Sequence, residues 1–352
     1  MPPPEREGSY RDNDYLKTKE GFLFCVVGNT HPQDRVVSYL KYIPKLSKEG
    51  EKWKDFDRVM KNYTIPSLKE TMNLLRRSYP KYLFYSDEWN TEVITVPQRD
   101  IVKHFIPEVK LEKLMHEKLK DCLIEKTCEF VRRLSELSGV PSRMLGVTGS
   151  ILLGIHDPKR SDIDITVYGY DCALKIKRAL LEILGRDKEI KPLGKREGND
   201  WCLRRVREHP ISVKDAERIL DRKWNFGYFK GVRFSINPVR VEKESESYGS
   251  KRFFPLGFGV VRAAIRSDRE AVFSPSIYSV SDVEVIKGSK NIDLREVVSY
   301  IRVFSDIAYS GERVEAGGKI ELVKDLENDT QYHRLVIGSL EYPGLDYMKL
   351  LS

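Results

Sequence analysis

Two short clusters carry residue types that do chemistry: Gly149-Ser150 and, one loop later, Asp162-Ile163-Asp164-Ile165. The alternation of Asp and Ile predicts a half-buried strand over residues 162–167, with Asp162 and Asp164 on one face and Ile163 and Ile165 on the other. Two carboxylates so placed lie about 7 Å apart along the strand and repel each other unless a cation sits between them. The Gly-Ser pair suits phosphate. Glycine lets backbone N–H groups approach an anion closely, and a serine that opens a helix offers both its hydroxyl and its N–H. Lys159 and Arg160 are near enough in sequence to add positive charge, with a solvated loop as the equal alternative. His156 lies in the same loop, where a lone exposed histidine is the plainer reading.

The surrounding pattern supplies elements to hold these residues. Met144–Val147 reads as a strand, Ser150–Gly154 as a short helix, His156–Ser161 as a polar loop containing Pro158. A single long amphipathic helix is predicted over Lys110–Ser138, stopped by Gly139 and Pro141. Residues 171–184 predict another helix, and a strongly basic segment runs from Lys188 to Lys223, with a helix over Val213–Trp224. Val232–Val241 alternates as a strand with Val232, Phe234 and Ile236 on one face. Upstream, residues 1–20 read as a mobile arm. Gly21–Val27 and Arg35–Ile43 read as antiparallel strands, Lys45–Lys54 as a charged loop, Ser67 as the cap of a helix to Ser78, and Tyr82–Tyr85 and Glu92–Val96 as further strands. After a Glu/Ser-rich linker at 242–250 come short strand candidates: Val260–Ser267, Ala271–Phe273, Ile277–Ile286, Val297–Ser305, Lys319–Val323 and Arg334–Leu340. Their spacing suggests a compact antiparallel sheet or small barrel.

The ordered set of strand, Gly149-Ser150, helix, Ser161-Asp162-Ile163-Asp164 strand and following helix resembles the DNA polymerase beta-type nucleotidyltransferase superfamily over about residues 110–240. The whole chain also resembles an uncharacterised archaeal-type branch of predicted nucleotidyltransferases. The resemblance implies an α+β chain. A polymerase beta-like domain (a mixed sheet with helices) would span 108–242, flanked by an N-terminal α+β domain over 1–107 and a C-terminal β-rich domain over 250–352. It implies transfer of a nucleoside monophosphate from a nucleoside triphosphate to an acceptor hydroxyl, with Mg²⁺ or Mn²⁺ as cofactor. Asp162 and Asp164 would be the catalytic metal ligands, and Gly149, Ser150 and Arg160 would bind the nucleotide.

One position departs from that pattern. Members that elongate nucleic acids carry a third carboxylate on a later neighbouring strand. The matching strand here, Val232-Arg233-Phe234-Ser235-Ile236-Asn237, presents Arg233, Ser235 and Asn237 on its polar face, and none is acidic. Asn237 is expected as a neutral metal ligand. Glu242 or Glu244 just beyond the strand, or Asp282 and Glu284 in a second Asp-x-Glu run, are the alternatives; for the last two the solvent face of a barrel strand is the plainer reading.

Composition bounds the partners. The 352 residues carry a formal charge of +8, 40% hydrophobic and 32% charged residues. A positive excess favours polyanions, so nucleic acid is an expected acceptor, RNA ahead of DNA, although lysine-rich surfaces also serve solubility alone. No apolar run reaches the length of a membrane span, and Met1-Pro2-Pro3-Pro4 opens no signal-peptide core. A cytoplasmic location is therefore expected, with Cys25, Cys122, Cys128, Cys172 and Cys202 reduced. Abundant Lys, Arg and Glu with few Gln resemble a thermophile's surface. His31 and Arg35 are weighed as phosphate contacts against a structural turn. Trp201, Trp224 and Tyr228 are weighed as base-stacking groups against core aromatics. Three readings remain open: a transferase acting on RNA or DNA, one acting on a protein or small molecule, and a non-catalytic nucleotide- or RNA-binding module.

Overall fold

A computed structural model describes residues 9–45, 55–60, 62–117 and 121–351. The chain is mixed α+β. Strands β1 (Tyr15–Thr18), β2 (Leu23–Val26), β3 (Arg35–Pro44) and β4 (Phe56–Arg58) come first, then α1 (Ile65–Ser78), β5 (Leu83–Ser86), β6 (Thr91–Pro97) and β7 (Ile101–Phe105). Helices α2 (Pro107–His116) and α3 (Cys122–Ser138) lead to β8 (Leu145–Val147), α4 (Gly149–Leu153), β9 (Ile163–Tyr168), α5 (Tyr170–Ile183) and β10 (Ile190–Lys191). After α6 (Lys195–Glu208) and α7 (Val213–Asp221) come β11 (Phe226–Phe229) and β12 (Val232–Val239). The remainder is β13 (Lys251–Ser267), β14 (Ser276–Lys287), β15 (Leu294–Ser299), β16 (Arg313–Asp325), β17 (Thr330–Ile337) and β18 (Tyr347–Leu350). These elements group into two compact units that interleave along the chain. The first comprises Met1–Lys61, Ile94–Leu193 and Trp224–Ser245; the second comprises Asn62–Val93, Gly194–Lys223 and Glu246–Ser352.

The first unit contains two sheets. One runs β6-β3-β2-β1-β7, with β4 added to β3, and all its pairings are antiparallel. The other runs β10-β11-β12-β9-β8 and is antiparallel except for β12 and β9, which lie parallel. The apolar face of this second sheet is fully buried: Ile163, Ile165, Val167, Phe234 and Ile236 are all at 0% exposure. Helices α3 and α5 cover that face. Phe130 on α3 stacks at 4.9 Å on Phe229 and 4.6 Å on Phe234, joining helix to sheet through aromatic contact.

Several expectations are corrected here. Residues 1–20 are not all an arm: β1 pairs with both β2 and β7. The turn before it, Arg11 to Asp14, is buried throughout. The polar letters that suggest mobility are satisfied internally. Asp12 accepts from Gly28 N at 2.9 Å, and Asp14 accepts from Arg11 N at 3.0 Å and lies 2.8 Å from His104 Nε2. The rest of the expected arm, residues 1–8, lies outside the described residues, as does most of the expected charged loop at 45–54. The long helix over Lys110–Ser138 is two helices. Glu117 is extended, and Asp121 starts a new helix by accepting from Leu123 N and Ile124 N at 3.0 Å each. The cap of α1 is Thr64, not Ser67, whose own N–H donates to the Thr64 hydroxyl. Helix α6 forms inside the basic segment, where Gly198, Trp201 and Cys202 make its buried face.

In the second unit the hydrogen bonding of β13, β14, β15, β17 and β16 closes on itself, because β16 also pairs with β13 along nearly its whole length; β18 adds to β16. The β-rich ring is thus a small barrel, with one parallel pair, β15 and β17, in place of the all-antiparallel order. Ala271–Phe273 is not a strand; Arg269–Val272 is a 3₁₀ turn. Strand β13 starts at Lys251, earlier than expected, because a bulge between Pro255 and Gly257 breaks its alternation.

Among the described residues no helix is long and apolar enough to cross a membrane. Phe130→Ala removes the aromatic hinge between α3 and the sheet. It is expected to cost about 3–5 kcal/mol of stability, measured by urea unfolding of the full chain.

Candidate active site

The site assembles at the end of β8. Thr148 N donates to Asp164 O at 2.9 Å, continuing the β8–β9 pairing by one step, and the Thr148 hydroxyl donates to Asn13 O at 2.7 Å. The chain then turns sharply into α4. Gly149 has φ +66°, and a Cβ there would lie 2.5 Å from Asp164 Oδ2. Glycine is therefore required twice, by backbone conformation and by the carboxylate beside it. Ser150 follows, half-buried, in the first turn, and Gly154 at φ +69° closes the helix.

Asp164 on strand β9, and Asp162 just before the strand begins, lie on the side opposite the buried isoleucines. Asp164 is half-buried and Asp162 reaches solvent. The parallel register pairs Ser235 with Asp164, and the Ser235 hydroxyl donates to Asp164 Oδ1 at 2.5 Å. That bond places the Ser235 side chain on the acidic face. By the alternation of strand side chains Arg233 shares that face, one residue before the β12–β9 pairing begins at Phe234 and Ile163, and its charge acts on Asp162. On the next strand Phe226 pairs with Ser235 and Tyr228 with Arg233; beyond them Lys191 pairs with Tyr228. One face of the sheet thus reads Asp162, Arg233, Tyr228, Lys191 in one row and Asp164, Ser235, Phe226 in the adjacent row.

The electrostatics follow from this layout. Desolvation by the surrounding protein, and then the charge of Asp164, raise the Asp162 carboxyl above the ordinary carboxylate range. Arg233 and Arg58 pull it back down. Arg58 arrives from β4, held where β4 pairs with β3 and where its Nε donates to Met60 O at 2.9 Å.

The other expected site residues fall as follows. Arg160 is 80% exposed and pairs at 3.9 Å with Asp157 in its own loop. Asn237 is buried, and its Nδ2 donates to Ile165 O at 3.2 Å and Ser235 Oγ at 3.1 Å. Ser235 is bonded to the acidic pair through its hydroxyl. Glu242 and Glu244 are committed elsewhere. Glu242 accepts from Arg11 Nε at 2.7 Å, while Glu244 accepts from Tyr170 N and Val241 N at 3.0 Å each. Asp282 and Glu284 belong to the other unit, exposed on β14. His156 lies 2.9 Å from Asp121 and braces the start of α3. His31 lies 3.1 Å from Tyr10 O and accepts from Val37 N, and burial lowers its pKa to about 4. Arg35 donates to Thr95. Both therefore build a turn. Trp201 and Trp224 are core aromatics at 6% and 2% exposure, while Tyr228 remains half-exposed. Within the basic segment Arg222 is clamped by Glu312 through two 2.8 Å hydrogen bonds, and Arg205 pairs with Glu208. These cations do not form a bare phosphate track.

Among the described residues no group of three or more His, Cys, Asp or Glu side chains is placed to hold a metal ion. The acidic pair alone offers hard carboxylate oxygens, the donor type that Mg²⁺ and Mn²⁺ prefer while keeping part of their water shell. Sequence reasoning missed the parts played by Ser235, Arg58 and the Arg11–Asp14 turn. The pairing register identifies the first, but only once the partner strand is known.

No protein-family model matches the chain, and no solved structure matches it. It is 27% identical over 345 residues to the uncharacterized protein MJ1086 of Methanocaldococcus jannaschii, covering 97% of this chain and 98% of that one.

The raised Asp162 carboxyl has a definite sign. Its folded pKa exceeds its unfolded one, so ionisation costs stability as pH rises through the folded value, and no cost remains below the unfolded value. Asp162→Asn is expected to be more stable than the parent at pH 7. The gain should vanish near pH 3 in a pH series of thermal unfolding.

Proposed function

We propose that the chain is a nucleotidyltransferase of the DNA polymerase beta type, moving a nucleoside monophosphate from a nucleoside triphosphate to an acceptor hydroxyl. One observation carries this reading: Asp164 lies against a glycine-serine turn in which Gly149 leaves no side chain between the backbone and that carboxylate. A carboxylate pair beside an open backbone turn suits a polyphosphate bridged to protein by a divalent cation.

In the reaction the acceptor oxygen forms a bond to the α-phosphorus, the bond to the bridging oxygen breaks and pyrophosphate leaves, and the proton of the acceptor hydroxyl passes to water. Mg²⁺ or Mn²⁺, held by Asp162 and Asp164, would supply neutralisation of the phosphate charge. The chain's own residues do the rest. Ser235 fixes the orientation of Asp164 through its hydrogen bond. The Gly149-Ser150 turn receives phosphate oxygens, with Ser150 offering its hydroxyl. Arg233 sets a fixed positive charge beside Asp162.

The net charge of +8 supports a polyanionic acceptor, RNA ahead of DNA. The second reading, a nucleotide- or RNA-binding module without turnover, draws on one observation: the register position beside Asp164 holds Ser235 in place of a carboxylate.

Incubation with Mg²⁺, each α-labelled triphosphate, and bulk RNA, DNA or protein is expected to move label into RNA. Asp162→Ala and Asp164→Ala should each lower that transfer by about 10³-fold, the scale on which transition-state charge stabilisation is lost. Undiminished transfer in both variants would refute the site. Nucleotide binding with no labelled product in any acceptor would favour the binding module.

A further inference from the structure

We propose that the guanidinium of Arg233 takes the place of a second cation, so that the acidic pair holds one divalent ion and Arg233 grips the same triphosphate directly. The inference rests on the nucleotidyltransferase reading above and specifies how that site differs from a two-metal one. A two-metal site needs ions roughly 3.5–4 Å apart, with carboxylates on both sides to hold them.

The pairing of β12 with β9 decides what lies on the second side. Phe234 is level with Ile163 and Ser235 with Asp164. The Ser235 hydroxyl bond to Asp164 Oδ1 shows that the polar faces of both strands point the same way. Arg233 is two residues before Ser235 on that face, so its side chain emerges beside Asp162. The side chain is exposed, and its charge acts on the Asp162 carboxyl.

A second divalent ion would thus meet a serine hydroxyl already donating to Asp164, and a guanidinium of the same sign as itself. The acidic groups nearest in sequence are engaged elsewhere: Glu242 by Arg11, and Glu244 by Tyr170 N and Val241 N. Asn237 directs its amide N–H at Ile165 O and Ser235 Oγ. What the face offers instead is a planar cation. Guanidinium binds phosphate oxygens through paired N–H donors and keeps its charge at any working pH. Arg58 adds a second positive charge from β4.

The test counts ions. Bound Mn²⁺ per chain is measured by equilibrium dialysis, as the excess of Mn²⁺ on the protein side over the Mn²⁺–nucleotide complex on the other, with α,β-methylene-ATP present at saturation so that no pyrophosphate can leave. The expected result is one Mn²⁺ for the parent chain and two for Ser235→Asp, which restores a carboxylate beside Asp164. Arg233→Ala should keep the single Mn²⁺ site but bind the analogue at least about tenfold more weakly. Arg233→Lys should recover part of that loss, and circular dichroism should show both variants folded. Two Mn²⁺ ions on the parent chain, or unchanged analogue affinity in Arg233→Ala, would overturn the proposal. Absence of any bound Mn²⁺ and analogue from both the parent and Ser235→Asp would overturn the nucleotidyltransferase reading beneath it.

Discussion

The parallel pairing of β12 with β9 decides which polar side chains share the open face of this sheet. It brings Ser235 against Asp164 and Arg233 to the same side as Asp162, on the one face of the sheet that is not buried under α3 and α5. A register shift of one residue would send Phe234 and Ile236 into the polar face and lose the entire buried row, so the hydrophobic core fixes the register far more strongly than the polar site could. The acidic pair, which repels itself, is held in place by apolar packing on the other side of the same strands. The arrangement costs stability locally and is supported by burial elsewhere.

The N-terminal segment serves the same end. The turn from Arg11 to Asp14 is bonded to the residue before the Gly-Ser turn, Asn13 O accepting from the Thr148 hydroxyl. Arg11, at 1% exposure, donates to Glu242, pairs at 3.7 Å with Glu108 and lies 5.5 Å over the ring of Tyr168. Tyr168 in turn donates to Glu108 at 2.7 Å. A buried cation with partners from α2, β9 and the end of β12 joins the beginning, middle and end of the first unit. Removing one member would leave charge unpaired in a dry setting. The same network accounts for Glu242, which sequence alone leaves free to ligate a metal.

Local pattern made the central stretch legible. The alternation of Asp162 to Ile165, the glycine-serine turn and the strand through Phe234 and Ile236 depend on near neighbours, and each lies where periodicity puts it. The parts that were hidden depend on long-range pairing. Ser235 meets Asp164 because of the register between strands far apart in sequence. Arg11 to Asp14 look like a polar arm because their partners, Gly28, His104 and Glu242, lie elsewhere in the chain. Asp121 divides an otherwise continuous helical pattern by a capping bond that competes with propagation. Composition also marks contiguous stretches, whereas each compact unit is assembled from three separate segments.

The central claim is that Asp162, Asp164 and the Gly149-Ser150 turn together receive a cation and a triphosphate. Anomalous X-ray diffraction from crystals grown with Mn²⁺ and α,β-methylene-ATP tests it most directly. The account predicts a Mn²⁺ peak ligated by Asp162 and Asp164, with phosphate oxygens against the backbone of Gly149 and Ser150 and the guanidinium of Arg233. A triphosphate bound elsewhere on the chain, with no anomalous peak at the acidic pair, would contradict it.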